Sequence, residues 1–272
     1  MVTKKPSPAS RKTTADKLEE NLSNVLAWST TWQLTFSPQK TQSLVVSRRH
    51  DTDENAILCF NGVPLPHHKK TLKLLGLSFT SNLSWAKHIQ TVASKAARLY
   101  GMIRRSRRCL SSVAIRNLYK ALIRPVVEYG SPIWSTAPRY TLQALDSIEK
   151  KCLALRGSSQ QSPMDSLSQR RQIASLMVFH SIVFGYAPEA LRESVELKRL
   201  IFPRDTRAAR AVHSRAFAIP GNYRSSRRFD RSFFPRVIRL WNSLSEACVN
   251  VADPVRFRHA ASLSLKAKNT SP

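Results

Sequence analysis

The stretch Ser84–Arg108, SWAKHIQTVASKAARLYGMIRRSRR, decides the fold class. Within it Trp85, Ile89, Val92, Ala93, Ala96, Leu99, Tyr100 and Ile103 recur at helical spacing, and the basic residues fall largely on the other faces. A long helix with one apolar side needs neighbours to cover that side. The sequence that follows supplies them. Ser111 or Ser112 caps a helix carrying Val113, Ile115, Leu118, Leu122 and Ile123, which Pro125 interrupts or kinks. Leu142, Leu145, Ile148, Cys152 and Leu155 mark a third helix, and Ile173 to Phe184 a fourth that stops near Gly185 and Pro188.

Upstream of Ser84 the pattern is mixed. Leu18, Leu22, Val25, Leu26 and Trp32 predict a helix over 16–32, with Asp16 and Glu19 placing acid in its first turn. Thr41–Ser47 (TQSLVVS) and Ala56–Phe60 (AILCF) read as short paired strands around the polar loop Arg48–Asn55. Asn61-Gly62 predicts a turn, and Leu72–Phe79 (LKLLGLSF) reads as one further strand with a bulge or close backbone approach at Gly76. Beyond the bundle, Lys198–Arg231 is rich in Arg, Ser and Pro without a firm period, which predicts an extended or partly ordered basic connector. Phe233–Val249 reads as helix, and Asp253-Pro254 as a cap with a first-turn proline. The expected fold class is α+β, mostly α: a small antiparallel sheet, then a helical bundle, then a C-terminal basic helical region.

With 272 residues and 42% hydrophobic content, the chain can fill a real core. Its charge is lopsided: 44 Lys plus Arg against 17 Asp plus Glu gives +27, which favours a polyanionic partner, nucleic acid first. The charge is also localised. Residues 55–127 contain thirteen cations and no acid, and residues 192–239 contain thirteen cations against four acids. A solvated surface normally mixes both signs, so the acid-free run points to phosphate binding. Several other classes drop out. Only seven glycines occur, with neither GxGxxG nor GxxxxGK[ST], which excludes nucleotide binding by those loops. Cys59, Cys109, Cys152 and Cys248 are scattered without metal-ligand spacing, and no apolar run reaches membrane-spanning length or marks a secretory leader, so an intracellular chain without a membrane is expected.

Four segments, in order, resemble the downstream part of a reverse transcriptase from non-LTR (LINE-type, jockey-like) retrotransposons. Leu26–Thr41 (LAWSTTWQLTFSPQKT) resembles the palm helix and strand that follow the catalytic aspartate hairpin in that family. Leu72–His88 (LKLLGLSFTSNLSWAKH) is similar to its primer-grip strand and the opening of its thumb. Leu118–Trp134 (LYKALIRPVVEYGSPIW) resembles a run within the thumb, and Ser232–Ser245 (SFFPRVIRLWNSLS) a closing helix. The resemblance implies a basic tail at 1–15 without order, a palm end at 16–83, a helical thumb-like domain at 84–190, a basic connector at 191–232 and a helical region at 233–272.

It also implies roles. Lys40 would sit near nucleotide phosphates as a possible general acid, and Leu75 and Gly76 would belong to a primer-grip strand where backbone approaches the primer. Lys95, Arg98, Arg104, Arg105, Arg107 and Arg108 would contact phosphates of RNA and DNA without reading bases. Trp28, Trp32, Trp85, Trp134 and Trp241 occupy apolar settings that favour core packing over base stacking. The family polymerase uses Mg2+ held by an early aspartate and an adjacent Asp pair, whereas this sequence has no Asp-Asp pair, and Asp51, Asp53 and Glu54 read as a hairpin tip. The expected reading is a fragment that binds template-primer nucleic acid without catalytic aspartates, acting in the nucleus. Two alternatives stay open: an active reverse transcriptase subunit completed by a missing polymerase half, and a non-enzymatic helical protein-interaction module.

Overall fold

The computed structural model describes residues 8–46, 58–65, 70–155, 165–193, 197–198, 200, 213–219 and 227–270. Asp51, Asp53 and Glu54 lie outside them, as does most of the predicted connector. The fold is α+β and mostly helical, with two antiparallel two-stranded sheets, and the chain divides into two compact units at His88/Ile89.

In the first unit, α1 spans Pro8–Thr31, starting eight residues before the predicted Asp16. Proline is tolerated at a first helical position because its missing N–H would have no partner there. Leu22, Leu26 and Ser29 form its covered side, and the Ser29 hydroxyl donates to the Leu26 carbonyl at 2.7 Å. The sheet expectation needs correction. Among the described residues of 41–46 only Ser43 forms an isolated bridge, and β1 (Cys59–Phe60) pairs with β2 (Val63–Pro64) across Asn61-Gly62. Both turn residues have positive φ, 52° and 72°, the geometry that Asn-Gly favours in a two-residue hairpin.

The single strand expected over 72–79 is instead a second hairpin, β3 (Thr71–Leu74) against β4 (Leu77–Thr80), with Leu75 and Gly76 as its turn. Their φ values, 47° and 79°, are those of the same turn type, and Leu75 is 80% exposed. Gly76 therefore serves a reversal, for which its freedom at positive φ is needed, rather than a bulge. From here Thr80, Asn82 and Ser84 form a hydrogen-bonded turn in which the Ser84 N–H donates to Thr80 Oγ1 at 2.8 Å. It leads into α2, Ala86–Arg105.

The second unit is the helical one. On α2, Ile89, Ala96 and Ile103 are fully buried, seven residues apart, as the periodicity predicted. Ser111 caps α3 (Ser112–Leu118) by accepting from the Ala114 N–H at 3.2 Å. The chain then widens through a π-helical turn, Tyr119–Ile123, and continues as α4 (Arg124–Glu128). Pro125 neither breaks nor ends the helix, because the wider turn absorbs its missing N–H: Arg124 N–H donates five residues back, to Tyr119. After the short α5 (Ser131–Trp134) come α6 (Arg139–Ala154) and α7 (Leu167–Val183).

Helix α7 starts six residues before the predicted Ile173. Ser166 caps it by accepting from Gln169 N–H at 3.2 Å, and its polar first turn is buried through ion pairs. α8 covers Glu189–Glu193, α9 Arg227–Arg231 and α10 Phe233–Asn242. The helix predicted over 233–249 is broken at Ser243–Ser245, and α11 (Glu246–Val249) follows. Asp253 Oδ1 accepts from Arg256 N–H at 2.7 Å, capping α12 (Pro254–Thr270) as expected.

α10 and α12 both pack on α7. The core between them contains Leu176, Phe179, Val237, Ile238, Trp241 and Phe257. Phe217, from the predicted connector, joins this core, and both its backbone groups are held by the Asn242 amide at 3.0 and 2.8 Å. Thus the piece of that segment around Ala216 and Phe217 is packed.

Candidate nucleic-acid interface

Helix α2 carries its cations on the side away from Ile89, Ala96 and Ile103. With 100° per residue, Ser94, Arg98, Gly101 and Arg105 fall on one narrow stripe, Lys95 and Met102 on its flank, and Arg104 about a quarter-turn to the other side. Lys95, Arg98, Arg104, Arg105 and Arg108 are all exposed. The Arg105 guanidinium lies back over Gly101, 3.7 Å from where a Cβ would sit, so the small residues leave the Arg side chains room to lie along the helix. Arg104 and Arg105 also occupy the last turn, where cations complement the negative end of the helix dipole.

The six predicted cations do not behave alike. Arg107 and Arg108 belong to a short 3-10 turn, Arg107–Cys109, and Arg107 Nε donates to the Leu155 carbonyl at 3.3 Å. That bond, from an exposed side chain, links this turn to the residue that follows α6. The other five make no ion pair among the described residues. An exposed row of cations with no acid beside it can neutralise several phosphates of a helical backbone, which demands charge and reach and no base-edge geometry.

In the first unit, Lys40 is exposed at the end of a 3-10 turn, Pro38–Lys40. Leu75 and Gly76 form the tip of the second hairpin. The tryptophans divide. Trp134 and Trp241 are fully buried, their indole N–H groups donating to the carbonyls of Tyr129 at 2.8 Å and Arg215 at 3.0 Å. Trp85 packs edge-on against Phe79 with ring centres 5.2 Å apart. Trp28 and Trp32 are corrections: they are 50% and 65% exposed and form an aromatic row with Phe36, because the covered side of α1 is the narrow Leu22, Leu26, Ser29 line.

Sequence reasoning missed a buried ionic network in the helical unit. Arg170 Nε donates to Glu128 Oε1 at 2.6 Å, its Nη2 to Glu149 Oε1 at 2.9 Å and to the Tyr119 hydroxyl at 2.8 Å, and its Nη1 to the Asp165 carbonyl. Glu149 also accepts from Tyr119 Oη at 2.9 Å and from the Leu167 N–H at 2.7 Å. Burial opposes the charge on Arg170, but Tyr119, Glu128 and Glu149 outweigh it and hold the guanidinium above its ordinary range. Burial, with Glu149 second, pushes the Tyr119 phenol up, so it remains a hydrogen donor. The signal was present as Arg170-Arg171 between the apolar positions Leu167 and Ile173, where an unpaired cation has no place.

A pair of Mg2+ ions needs carboxylates converging on one point. The sequence has no Asp-Asp pair, and no group of three or more His, Cys, Asp or Glu residues comes together among the described residues, so those residues do not form such a cradle. No helix among them is long and apolar enough to cross a membrane.

Comparison with known proteins gives one relevant similarity. The chain is 26% identical over 140 residues to the RNA-directed DNA polymerase from mobile element jockey of Drosophila melanogaster, a match covering 50% of this chain and 15% of that protein. No protein-family model and no solved structure matches. The similarity suggests a relationship to retrotransposon reverse transcriptases.

Proposed function

We propose that the chain binds the sugar-phosphate backbone of duplex or RNA–DNA hybrid nucleic acid, without sequence preference, through the outer side of α2 and the turn after it. The observation that carries this reading is the row of exposed cations at Lys95, Arg98, Arg104, Arg105 and Arg108, inside a 73-residue run without a single acid. The similarity to the jockey polymerase supports it, since a polymerase must hold a template-primer duplex.

Binding is tested by titrating a labelled RNA–DNA hybrid at several salt concentrations. Five engaged phosphates give a log-log slope of about −4.5, and changing Arg98, Arg104, Arg105 and Arg108 to Gln should bring it close to −1. A wild-type slope near zero overturns the proposal. The same similarity favours a second reading, in which this chain is the downstream part of an RNA-directed DNA polymerase whose Mg2+-holding half comes from elsewhere. Primer extension on an RNA template with Mg2+ separates the two: the chain alone should incorporate no nucleotide.

A further inference from the structure

The helical unit contains a cleft of about 690 Å³ between the start of α6 and the flank of α7, within the range of small-molecule sites. Four guanidiniums line it, Arg139, Arg171, Arg231 and Arg236, against one carboxylate, Asp146. The Arg171 side chain is only 4% exposed, with Nη2 2.8 Å from Asp146 Oδ1 and Nη1 sealed from solvent without a hydrogen-bond partner. Arg236 donates to the Ser135 carbonyl at 3.2 Å, to Ser135 Oγ at 2.7 Å and to Ser175 Oγ at 3.1 Å. Its Nε is likewise sealed and unpartnered, and it meets no carboxylate among the described residues.

Burial, with the charge of Arg171 second, brings the Arg236 guanidinium down to about 10. It still carries its charge at neutral pH. Two cations sunk beside one another with one carboxylate leave the cleft strongly positive, and such charges are tolerated when an anion completes them. The start of α6 adds to this. Its cap position is Pro138, which offers no side-chain acceptor, and its first turn holds no acid, so the positive end of a 16-residue helix opens on the cleft. Arg139 and Arg231 line the cleft with exposed side chains, which leaves their guanidiniums within reach of an incoming ligand.

We propose that this cleft is a binding site for a phosphoryl group, carried either by free phosphate or by the phosphate of a nucleic-acid strand. Planar guanidinium forks match phosphate oxygens in pairs, and none of the α2 cations lines the cleft, so the site stands whether or not α2 binds nucleic acid.

Thermal unfolding of the full chain in inorganic phosphate, against chloride at equal ionic strength, tests it. The wild type should show a saturable rise in Tm of about 3 °C. Arg139→Gln with Arg231→Gln, both at exposed side chains, should leave the Tm in chloride unchanged and abolish the rise. Absence of the rise in the wild type, or its survival in that double variant, overturns the proposal. The variant with Arg98, Arg104, Arg105 and Arg108 changed to Gln should keep the rise; losing it there would assign the effect to α2 and also overturn the proposal. The source is read by competition against phosphate with a short oligothymidylate. Displacement only by the 5′-phosphorylated form assigns a strand end, by both forms internal phosphodiesters, and by neither free phosphate.

Discussion

On α2, Arg98, Arg104 and Arg105 stand exposed with no acid in the surrounding sequence, whereas on α7 the adjacent Arg170 and Arg171 are buried and each meets a carboxylate. The same residue type thus does two physical jobs. A buried guanidinium paired with carboxylates ties helices together, because removing it would strand the carboxylates it faces. An exposed one without a partner contributes almost nothing to the fold and leaves its charge available to solvent or to a polyanion. A net charge of +27 adds the two kinds together, and only position separates them.

The difference can be tested hard at its buried end. Arg170→Met leaves Glu128, Glu149 and Tyr119 without their shared donor, and should cost about 3–5 kcal/mol in urea unfolding. Adding Glu149→Leu should recover part of that loss. If Arg170→Met costs no more than a surface change, the network is not what joins α4, α6 and α7.

A second prediction concerns His180, also buried on α7. Its Nε2–H donates to the Val251 carbonyl at 2.9 Å, and the ring stacks on Phe257 with centres 4.3 Å apart. Burial lowers its pKa, so folding disfavours the protonated ring, while the unfolded chain protonates near 6.5. Stability is therefore full above pH ~6.5 and falls as the pH drops below it, by at most about 1.4 kcal/mol per pH unit for this group. His180→Phe should flatten that part of the profile, and an unchanged profile would remove His180 as its source.

The smallest effect on stability belongs to α2. Changing Arg98, Arg104, Arg105 and Arg108 to Gln should move the unfolding free energy by no more than about 0.5 kcal/mol per site. A large loss there would make these arginines structural and collapse the distinction between the two regions.

Much of the fold could be read from the sequence because its long helices carry a regular apolar side. Ile89, Ala96 and Ile103 on α2, and Leu142, Leu145, Ile148 and Cys152 on α6, are buried as their spacing predicts. The hairpin at Leu75-Gly76 was hidden because LKLLGLSF is apolar on both sides of the reversal, so only the positive φ of the two turn residues reveals it. The exposed row on α2 was legible through its lack of acids. The arginine cleft was not, since Arg139, Arg171 and Arg236 lie on three different helices and converge only through tertiary packing. Arg107 looked like its neighbours in sequence, and only its bond to the Leu155 carbonyl sets it apart from them.

The π-helical turn at Tyr119–Ile123 also bears on how this segment tolerates changes in length. Ile115, Tyr119, Ile123 and Val127 are all buried, each four residues after the last, a spacing that would drift by about 40° per step in an ordinary α-helix. The wide turn takes up that drift, acting as one residue of slack in the helix. Deleting Ala121, which is exposed, turns the spacing into four, three, four, the stripe of a plain α-helix. The shortened helix would then press Pro125 against the preceding turn. The deletion alone should therefore fold poorly by thermal unfolding, while the same deletion combined with Pro125→Ala should regain most of the wild-type Tm. If so, the slack and the proline are matched, and the segment can lose both together far more easily than it can lose either one.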